Sequence, residues 1–174
     1  MTTAQGIAVL VGVTVLALFA MWLGWARRRV RTGALVPDLP VVPAADELGL
    51  PTAEVPVMYV STTLAGRWLE RVVAHGLGAR SSAVVSVYPR GVLIRRQGAP
   101  DVFISAEALY VVRLVDGFGG KVVGGRRLVV LGWQHWATNV DTGVLPRSAA
   151  GRERLVTALT PLYGPGPRPE EEPA

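Results

Sequence analysis

The chain has 174 residues, a net charge of +5 and no cysteine, and half of its residues are hydrophobic. A chain of this length accommodates one ordinary domain with accessory segments. The absence of cysteine excludes a disulfide framework, a thiolate metal site and a cysteine nucleophile. The high apolar content indicates that part of the chain faces lipid.

The first 26 residues contain no charged side chain, and Thr14 is the only polar side chain between residues 7 and 25. A helix of that length spans about 28 Å, close to the thickness of the hydrocarbon core of a bilayer. We therefore predict a transmembrane helix over 7–26, preceded by a short extracytoplasmic N-terminus at 1–6. A cleaved signal peptide is disfavoured, because the positive charge follows the apolar run instead of preceding it.

The residues that end this run predict its orientation. Tryptophans and arginines are expected at the membrane interface, at Trp22, Trp25, Arg27, Arg28, Arg29 and Arg31. Because positive flanks remain on the cytoplasmic side, we predict a single-pass protein of the plasma membrane with its N-terminus outside. The domain that follows is then cytoplasmic.

Two segments have the composition of connecting or terminal chain. Residues 27–54 contain the arginine block and then four prolines and four acidic side chains. Proline at this density favours extended chain, so we predict a basic stop followed by a Pro-rich linker. The Pro- and Glu-rich tail at 164–174 is predicted to be disordered.

Residues 55–163 consist mostly of short apolar runs bounded by turn-forming residues, which predicts a mainly-β domain. The intervals are too short for crossover helices and favour a small antiparallel barrel of about seven strands. One run, 65–76, is predicted to be a short helix, because apolar residues recur at helical spacing at Trp68, Leu69, Val72 and Val73. Ser148 begins a predicted C-terminal helix over 148–162, which caps the barrel.

Four segments carry a resemblance to a known family: YVSTTLAGRWLERVVAHGLGARS, GVLIRR, GGKVV and VDTG. Over about residues 1–163 the chain resembles an actinobacterial family of single-pass membrane proteins with a pleckstrin-homology (PH)-like domain. Members are commonly described as export, transporter or membrane proteins. The resemblance implies a PH-like barrel tethered by one helix, with no established activity or ligand. In the family the DTG is usually followed by an aromatic residue and an arginine, whereas Val144, Leu145 and Pro146 follow it here.

The motifs that suggest catalysis are incomplete. Asp141 belongs to a single Asp-Thr-Gly tripeptide, and aspartic peptidases need two carboxylates, so a homodimer would have to supply the second. We expect instead a strand-to-turn junction in which Asp141 bonds its own backbone and Gly143 has a positive φ. The stretch DGFGGKVVGG lacks the first glycine and the hydroxyl residue of a phosphate-binding loop and is predicted to form hairpin turns. We expect no metal, because the two histidines lack neighbouring ligands, and no cofactor.

Basic side chains around two predicted hairpins are candidate contacts for anionic lipid headgroups or for a protein partner, namely Arg90, Arg95, Arg96, Lys121, Arg126 and Arg127. An equally weighted alternative is that these charges protect strand edges from aggregation. Trp133 and Trp136 are more consistent with core burial, although strand alternation would turn one ring outward as a contact. Nucleic-acid binding is disfavoured, because there is no recognition helix or sustained basic stripe.

These features predict a membrane-tethered, cytosolic interaction module that acts as an adaptor or scaffold and has no catalytic activity. Its expected partners are a protein, anionic lipid headgroups, or both. One alternative is an accessory subunit of a membrane transporter or export system. A remote alternative is an aspartic-type peptidase that uses Asp141.

Overall fold

The computed structural model describes residues 3–35, 38–122, 125 and 127–163. Within these residues, three α-helices and ten strands follow one another, with short 3₁₀ turns at Ala74–Gly76 and Thr160–Leu162. The helices are α1 (Thr3–Leu35), α2 (Ala45–Leu48) and α3 (Ala149–Leu159). The strands are β1 (Ala53–Leu64), β2 (Arg67–Arg71), β3 (Ser81–Tyr88), β4 (Gly91–Arg96), β5 (Val102–Ser105), β6 (Leu109–Val115), β7 (Gly117–Phe118), β8 (Lys121–Val122), β9 (Leu128–His135) and β10 (Thr138–Pro146).

Eight strands form one antiparallel sheet in the order β5-β4-β3-β1-β10-β9-β6, with β2 paired to β1. The mainly-β, antiparallel prediction is confirmed, but the predicted closed barrel is wrong, because β5 and β6 do not pair with each other. The turn between them, residues 106–108, forms other backbone hydrogen bonds. Its amides donate to other carbonyls, Ala106 to Arg90 and Ala108 to Ser105, while the carbonyl of Ala108 accepts from Gln134 on β9. Strands β7 and β8 form a separate small hairpin.

Strand alternation sorts the side chains between two faces of the sheet. In the first half of β1, Val55, Val57 and Tyr59 are buried, whereas the alternating residues Glu54 and Pro56 are exposed. We call the side that carries Val55 and Val57 the inner face, because its residues form the main hydrophobic core with their neighbours on β3, β4, β9 and β10. The opposite side is the outer face.

The C-terminal helix lies where the sequence predicts it. The Ser148 side chain accepts a hydrogen bond from the amide of Gly151 at 3.0 Å and caps α3. Leu155 and Leu159 are fully buried in the main core. This helix packs against β1, β3 and β10 and covers one side of the core.

The predicted helix at 65–76 is wrong. Its residues form β2 and the 3₁₀ turn Ala74–Gly76 instead. The apolar residues do not share one helical face, since Leu69 is 65% exposed while Val72 is fully buried. The amide of Val72 donates to the carbonyl of Thr62 on β1, so sheet pairing satisfies the backbone of this segment.

The N-terminal segments differ in extent from the predicted ones. Helix α1 begins before the predicted span and continues to Leu35, so the arginine block at 27–31 lies within the helix. The following segment does not behave as a free spacer. Leu39 packs against the main core, and Leu48 on α2 packs against Tyr88, Leu93 and Phe103 on the outer face.

Among the described residues we find no helix that is both long enough and apolar enough to cross a membrane, and the predicted transmembrane assignment of 7–26 is therefore not confirmed.

A buried hydrogen-bonded chain connects three strands within the core. The hydroxyl of Tyr59 lies 2.7 Å from that of Thr62, which lies 2.8 Å from that of Thr142 on β10. Trp133 on β9 donates its indole N–H to Thr142 at 2.9 Å. Tyr59 also donates to the carbonyl of Leu77 at 2.9 Å. The sequence marks none of these polar residues as internal, but each finds a partner, as burial requires.

Burial raises the pKa of Tyr59 to about 12, although the hydrogen bond from Thr62 and the charge of Arg96 act in the opposite direction. In the unfolded chain tyrosine ionises near pH 10. The folded state therefore keeps its full stability below about pH 10 and loses the contribution of Tyr59 as the pH rises to about 12. We expect urea unfolding to show a fall of about 2–3 kcal/mol in this window. In Tyr59→Phe the fall should be much smaller, and an equal fall in that variant would contradict the assignment to Tyr59.

Candidate functional site: a basic groove on the outer face

The predicted basic residues whose side chains are described do not all lie on one rim. Arg90 lies in the turn that joins β3 to β4, whereas Arg95 and Arg96 lie at the far end of β4. Arg127 precedes β9 and is exposed. Arg126 lies outside the described residues, as do the side chains of Lys121, Trp25, Arg27, Arg28, Arg29 and Arg31. Trp22 is described, and 58% of its surface is exposed.

Arg96 is a buried structural residue and not a surface contact, contrary to the prediction. Its Nε donates to the carbonyl of Pro100 at 2.7 Å, and its two terminal nitrogens donate to Gly76 and His75 at 3.0 and 3.2 Å. The guanidinium carbon lies 4.7 Å from the centre of the Tyr59 ring, a cation–π distance. Burial lowers the pKa of Arg96, and the neighbouring Tyr59 and Asp101 oppose that change.

Arg95 faces the opposite side and lines a groove of about 580 Å³, which we call the basic groove. Its lining residues come from β1, β3, β4 and the end of β10, namely Pro56, Ser82, Ala83, Val84, Arg95, Arg96, Gln97 and Arg147. Register explains the floor, because Pro56 pairs with Val84 and Val84 pairs with Arg95 across three adjacent strands. Consecutive β-strand residues face opposite sides, so Arg95 enters the groove while Arg96 enters the core.

Arg147 is positioned where β10 ends. Its amide donates to the carbonyl of Pro56 at 3.3 Å, and its Nη2 donates to the hydroxyl of Ser82 at 3.1 Å. Among the described residues no carboxylate forms an ion pair with Arg147. Sequence reasoning missed Arg147, because only the pairing of β10 with β1 brings it beside Arg95. The feature that could have indicated Arg147 is its position directly after a strand.

Acidic residues of the segment before the domain and of β1 already pair with two of the predicted contacts. Glu54 accepts from Nη2 of Arg95 at 2.5 Å, and both side chains are about half exposed. The same nitrogen donates to Ser86 at 2.9 Å. Glu47 lies 4.0 Å from Arg90. Exposed pairs of this kind contribute only about 0–1 kcal/mol, so an incoming anion can compete with them.

The groove presents the guanidinium groups of Arg95 and Arg147, with the hydroxyl of Ser82 and the carboxamide of Gln97 beside them. The carboxylate of Glu54 pairs with Arg95 but does not line the groove. Guanidinium groups bind carboxylates and phosphates in a bidentate manner. The groove can therefore hold an anionic group, but it presents no nucleophile with an adjacent general base. Across the described residues there is also no cluster of three or more side chains suited to a metal ion.

Asp141 lies within β10, and not at the predicted turn. The residue is 5% exposed, and its carboxylate accepts from Nη2 of Arg113 at 2.8 Å. Gly143 does not have a positive φ. It is needed for space, because a Cβ at this position would lie 2.4 Å from the ring of Phe118.

For the stretch DGFGGKVVGG, hairpin turns are predicted instead of a phosphate-binding loop. The β7–β8 hairpin lies in this stretch, and its turn has positive φ values at Gly119 and Gly120.

The two candidate tryptophans differ in burial, and the two histidines both make contacts within the fold. Trp133 is buried in the core, whereas Trp136 is 71% exposed at the tip of the β9–β10 hairpin and has a φ of 53°. The ring of His135 bonds the carbonyl of Asp38, and the carbonyl of His75 accepts from Arg96. Both histidines therefore have structural contacts.

Comparisons with known proteins concern the domain. A family model described as Bacterial PH domain-like matches residues 36–160. A chain of the solved structure "The 8S snRNP Assembly Intermediate" is 9% identical with a TM-score of 0.48, over 78% of this chain and 97% of that one. A chain of "Vav1 inhibited by an allosteric inhibitor: Vav1 inhibitors block GEF activity" is 13% identical with a TM-score of 0.41, over 78% of this chain and 32% of that one. Likenesses at these scores carry no functional argument. A search of curated proteins finds no match.

Arg95 and Arg96 are adjacent on β4, but only Arg96 is buried, so alanine substitutions at the two positions test how much the buried guanidinium contributes to stability. Removing the side chain in Arg96→Ala leaves three carbonyl oxygens without their donor, so we expect a loss of about 3 kcal/mol or more. Arg95→Ala removes a half-exposed pair and should change stability by less than about 1 kcal/mol. Urea unfolding of both variants measures this difference. Equal losses would contradict the structural role of Arg96.

Proposed function

Because the chain belongs to the Bacterial PH domain-like family, we propose that its β-domain is a non-catalytic interaction module that binds an anionic group in the basic groove. The proposed ligand group is a carboxylate or phosphate of a protein partner or of a lipid headgroup. The module is proposed to act as an adaptor or scaffold at the cytoplasmic face of the plasma membrane, where α1 tethers it.

One observation carries the binding proposal: Arg95 and Arg147 line one groove, and Arg147 has no acidic partner among the described residues. Its guanidinium is held by a single side-chain bond to Ser82, which leaves other N–H donors for a ligand. Glu54 occupies only one nitrogen of Arg95. The groove therefore combines Arg147, which Ser82 positions, with Arg95, whose ion pair with Glu54 an incoming anion can replace.

The absence of catalysis is part of the proposal, and it is supported by the environment of Asp141. The carboxylate is paired with a guanidinium, and the peptidase chemistry requires a second carboxylate that shares its proton. The alternative of an accessory transporter subunit would use the same tether and a membrane-embedded partner. No contact of the described residues favours it over the adaptor.

The tether is supported by the sequence of α1 and by the exposure of its side chains. Residues 7–25 carry no charge, and four arginines follow within a few positions. Leu10, Leu16 and Met21 are 68–71% exposed, so no described residue of the domain covers these three side chains. Exposed apolar surface of this extent is typical of contact with a membrane or with a partner.

Membrane fractionation tests the tether. The full chain should remain with membranes after alkaline carbonate extraction. The double variant Leu16→Arg with Leu18→Arg should move to the soluble fraction, because each buried arginine costs about 2.5–3.5 kcal/mol at the centre of a span. Leu69→Arg, at an exposed leucine of the domain, is the control and should stay membrane-bound. Extraction of the unaltered chain would contradict the tether.

Anion binding is tested with the full chain in neutral detergent micelles and a fluorescein-labelled octaglutamate peptide. We expect Arg147→Glu to weaken binding at least tenfold, because the charge that faces the ligand is reversed. Arg67→Glu is the control, since Arg67 is exposed on β2 outside the groove. Raising the salt concentration should weaken binding to the unaltered chain.

A parallel arm separates the two proposed sources of the anion. The same chains are reconstituted in nanodiscs of neutral lipid or of neutral and anionic lipid, and peptide binding is measured again. Competition by anionic lipid that disappears in Arg147→Glu would favour a headgroup, whereas unchanged peptide affinity would favour a protein carboxylate. Equal peptide affinities of Arg147→Glu and the unaltered chain would contradict the groove as the binding site.

A further inference from the structure

A second groove lies beside α3 and is not used by the proposed function. We call it the α3 groove, and its volume is about 470 Å³. It is bounded by the start of β1 and by one side of α3, with lining residues that include Thr52, Ala53, Ala150, Glu153, Arg154 and Ala158. Helical residues three, four and eight positions apart share one side of a helix. The groove therefore follows α3 over most of its length.

The α3 groove leads towards the basic groove. On β1, Ala53 of the α3 groove is three positions before Pro56 of the basic groove. At the beginning of α3, Arg147 of the basic groove is three positions before Ala150 of the α3 groove. Three residues of a strand span about 10 Å, so a single extended segment can reach from one groove into the other.

The charged residues around the two grooves limit what can bind there. Glu153 and Arg154 are exposed, and among the described residues neither forms an ion pair. Farther along, beside Arg147, the first turn of α3 contains no acidic residue, although the N-terminus of a helix favours negative charge. A matching ligand therefore carries a positive group beside Glu153 and negative groups beside Arg147.

The tail of this chain contains charges in that order. It follows Tyr163, which is the last described residue, and its sequence is GPGPRPEEEPA. Arg168 comes first, and three glutamates follow at 170–172. All its other residues are glycine, proline or alanine. Small side chains and proline rings suit a groove whose lining includes Ala53, Ala150 and Ala158.

The lengths of α3 and of the tail also match. Counted back from Tyr163, Glu153 lies about 16 Å away along the helical turns and the beginning of α3 about 22 Å away. In Pro-rich chain that extends by about 3.1 Å per residue, Arg168 would lie about 16 Å from Tyr163 and the three glutamates about 22–28 Å from it. A tail that turns back at Tyr163 and runs beside α3 would therefore bring Arg168 to Glu153 and the glutamates to Arg147.

We propose that the α3 groove holds residues 164–169 of this chain, and that Glu170, Glu171 and Glu172 bind Arg147 at the basic groove. This inference rests on the proposed anion binding by the basic groove and assigns it a ligand within the chain. An external anion then has to displace glutamates that a short connection keeps at about millimolar effective concentration.

Competition is tested with the full chain in neutral micelles and the labelled octaglutamate peptide. We expect the combined substitutions Glu170→Gln, Glu171→Gln and Glu172→Gln to strengthen octaglutamate binding at least fivefold, because the internal competitor loses its charge. Deletion of residues 164–167 is the matched test of reach. It keeps all three glutamates but shortens the tail by about 12 Å, so it should strengthen binding to a similar extent.

The position of the tail is tested separately by NMR. The chain has no cysteine, so Ala174→Cys provides a single site for a nitroxide label. The label should broaden the amide resonances of Ser82 and Ala150, and not that of Ala137 at the distant tip of the β9–β10 hairpin. Arg147→Glu should remove the broadening at Ser82. In a mixture of labelled chain and isotope-enriched unlabelled chain, broadening at Ser82 would assign the tail of a second copy and overturn the proposal.

The remaining outcomes separate the tail from the basic groove. Absence of broadening at Ser82, or stronger octaglutamate binding only in the variant without the glutamates, would overturn the proposal, since the tail would then act through its net charge alone. If Arg147→Glu still weakens octaglutamate binding in that case, the basic groove remains the binding site and only the internal ligand is wrong. Failure of the tail is therefore distinct from failure of the proposed function.

Discussion

The buried guanidinium of Arg96 is the interaction on which the arrangement of this domain depends. It donates hydrogen bonds to carbonyl groups of the 3₁₀ turn Ala74–Gly76 and of Pro100, and it lies over the ring of Tyr59. His75 and Gly76 both have positive φ values, and for His75 this conformation is costly. The bonds to Arg96 compensate that cost and fix the long connection between β2 and β3 against the end of β4. A buried charge of this kind is tolerated because each of its three nitrogens donates a hydrogen bond.

The same alternation that buries Arg96 also creates the surface features. Arg95 must face outward because its neighbour faces inward, and pairing across β1, β3 and β4 places it over Pro56 and Val84. Strand β1 then has a bulge between Tyr59 and Ser61, which divides its pairing with β10 into two registers. The outer face consequently has a cationic half at the basic groove, whereas its other half contains the buried carboxylate of Asp141 paired with Arg113.

The sequence predicts the existence of most strands, because local apolar runs and turn-forming residues decide where a strand begins and ends. It also predicts α3, whose cap and apolar stripe are both local. It fails at 65–76, where the apolar residues fit a helical spacing but long-range pairing with β1 decides the outcome. It also fails for Arg96 and Asp141, since a charged residue is buried only when partners distant in sequence satisfy it. The open sheet likewise could not be predicted, because a pattern of short apolar runs does not specify whether the first and last strands pair.

The acidic segment before the domain connects these observations. Its residue Glu47, and Glu54 at the start of β1, are separated from Arg90 and Arg95 by about forty positions in the chain, yet they lie beside them. Because Leu39 and Leu48 anchor the same segment to the domain, these carboxylates are held near the surface at little further entropic cost. An anion that enters the basic groove therefore competes with an internal carboxylate at high local concentration. Among the described residues no carboxylate forms an ion pair with Arg147. The selectivity of the groove should consequently rest on Arg147 more than on Arg95.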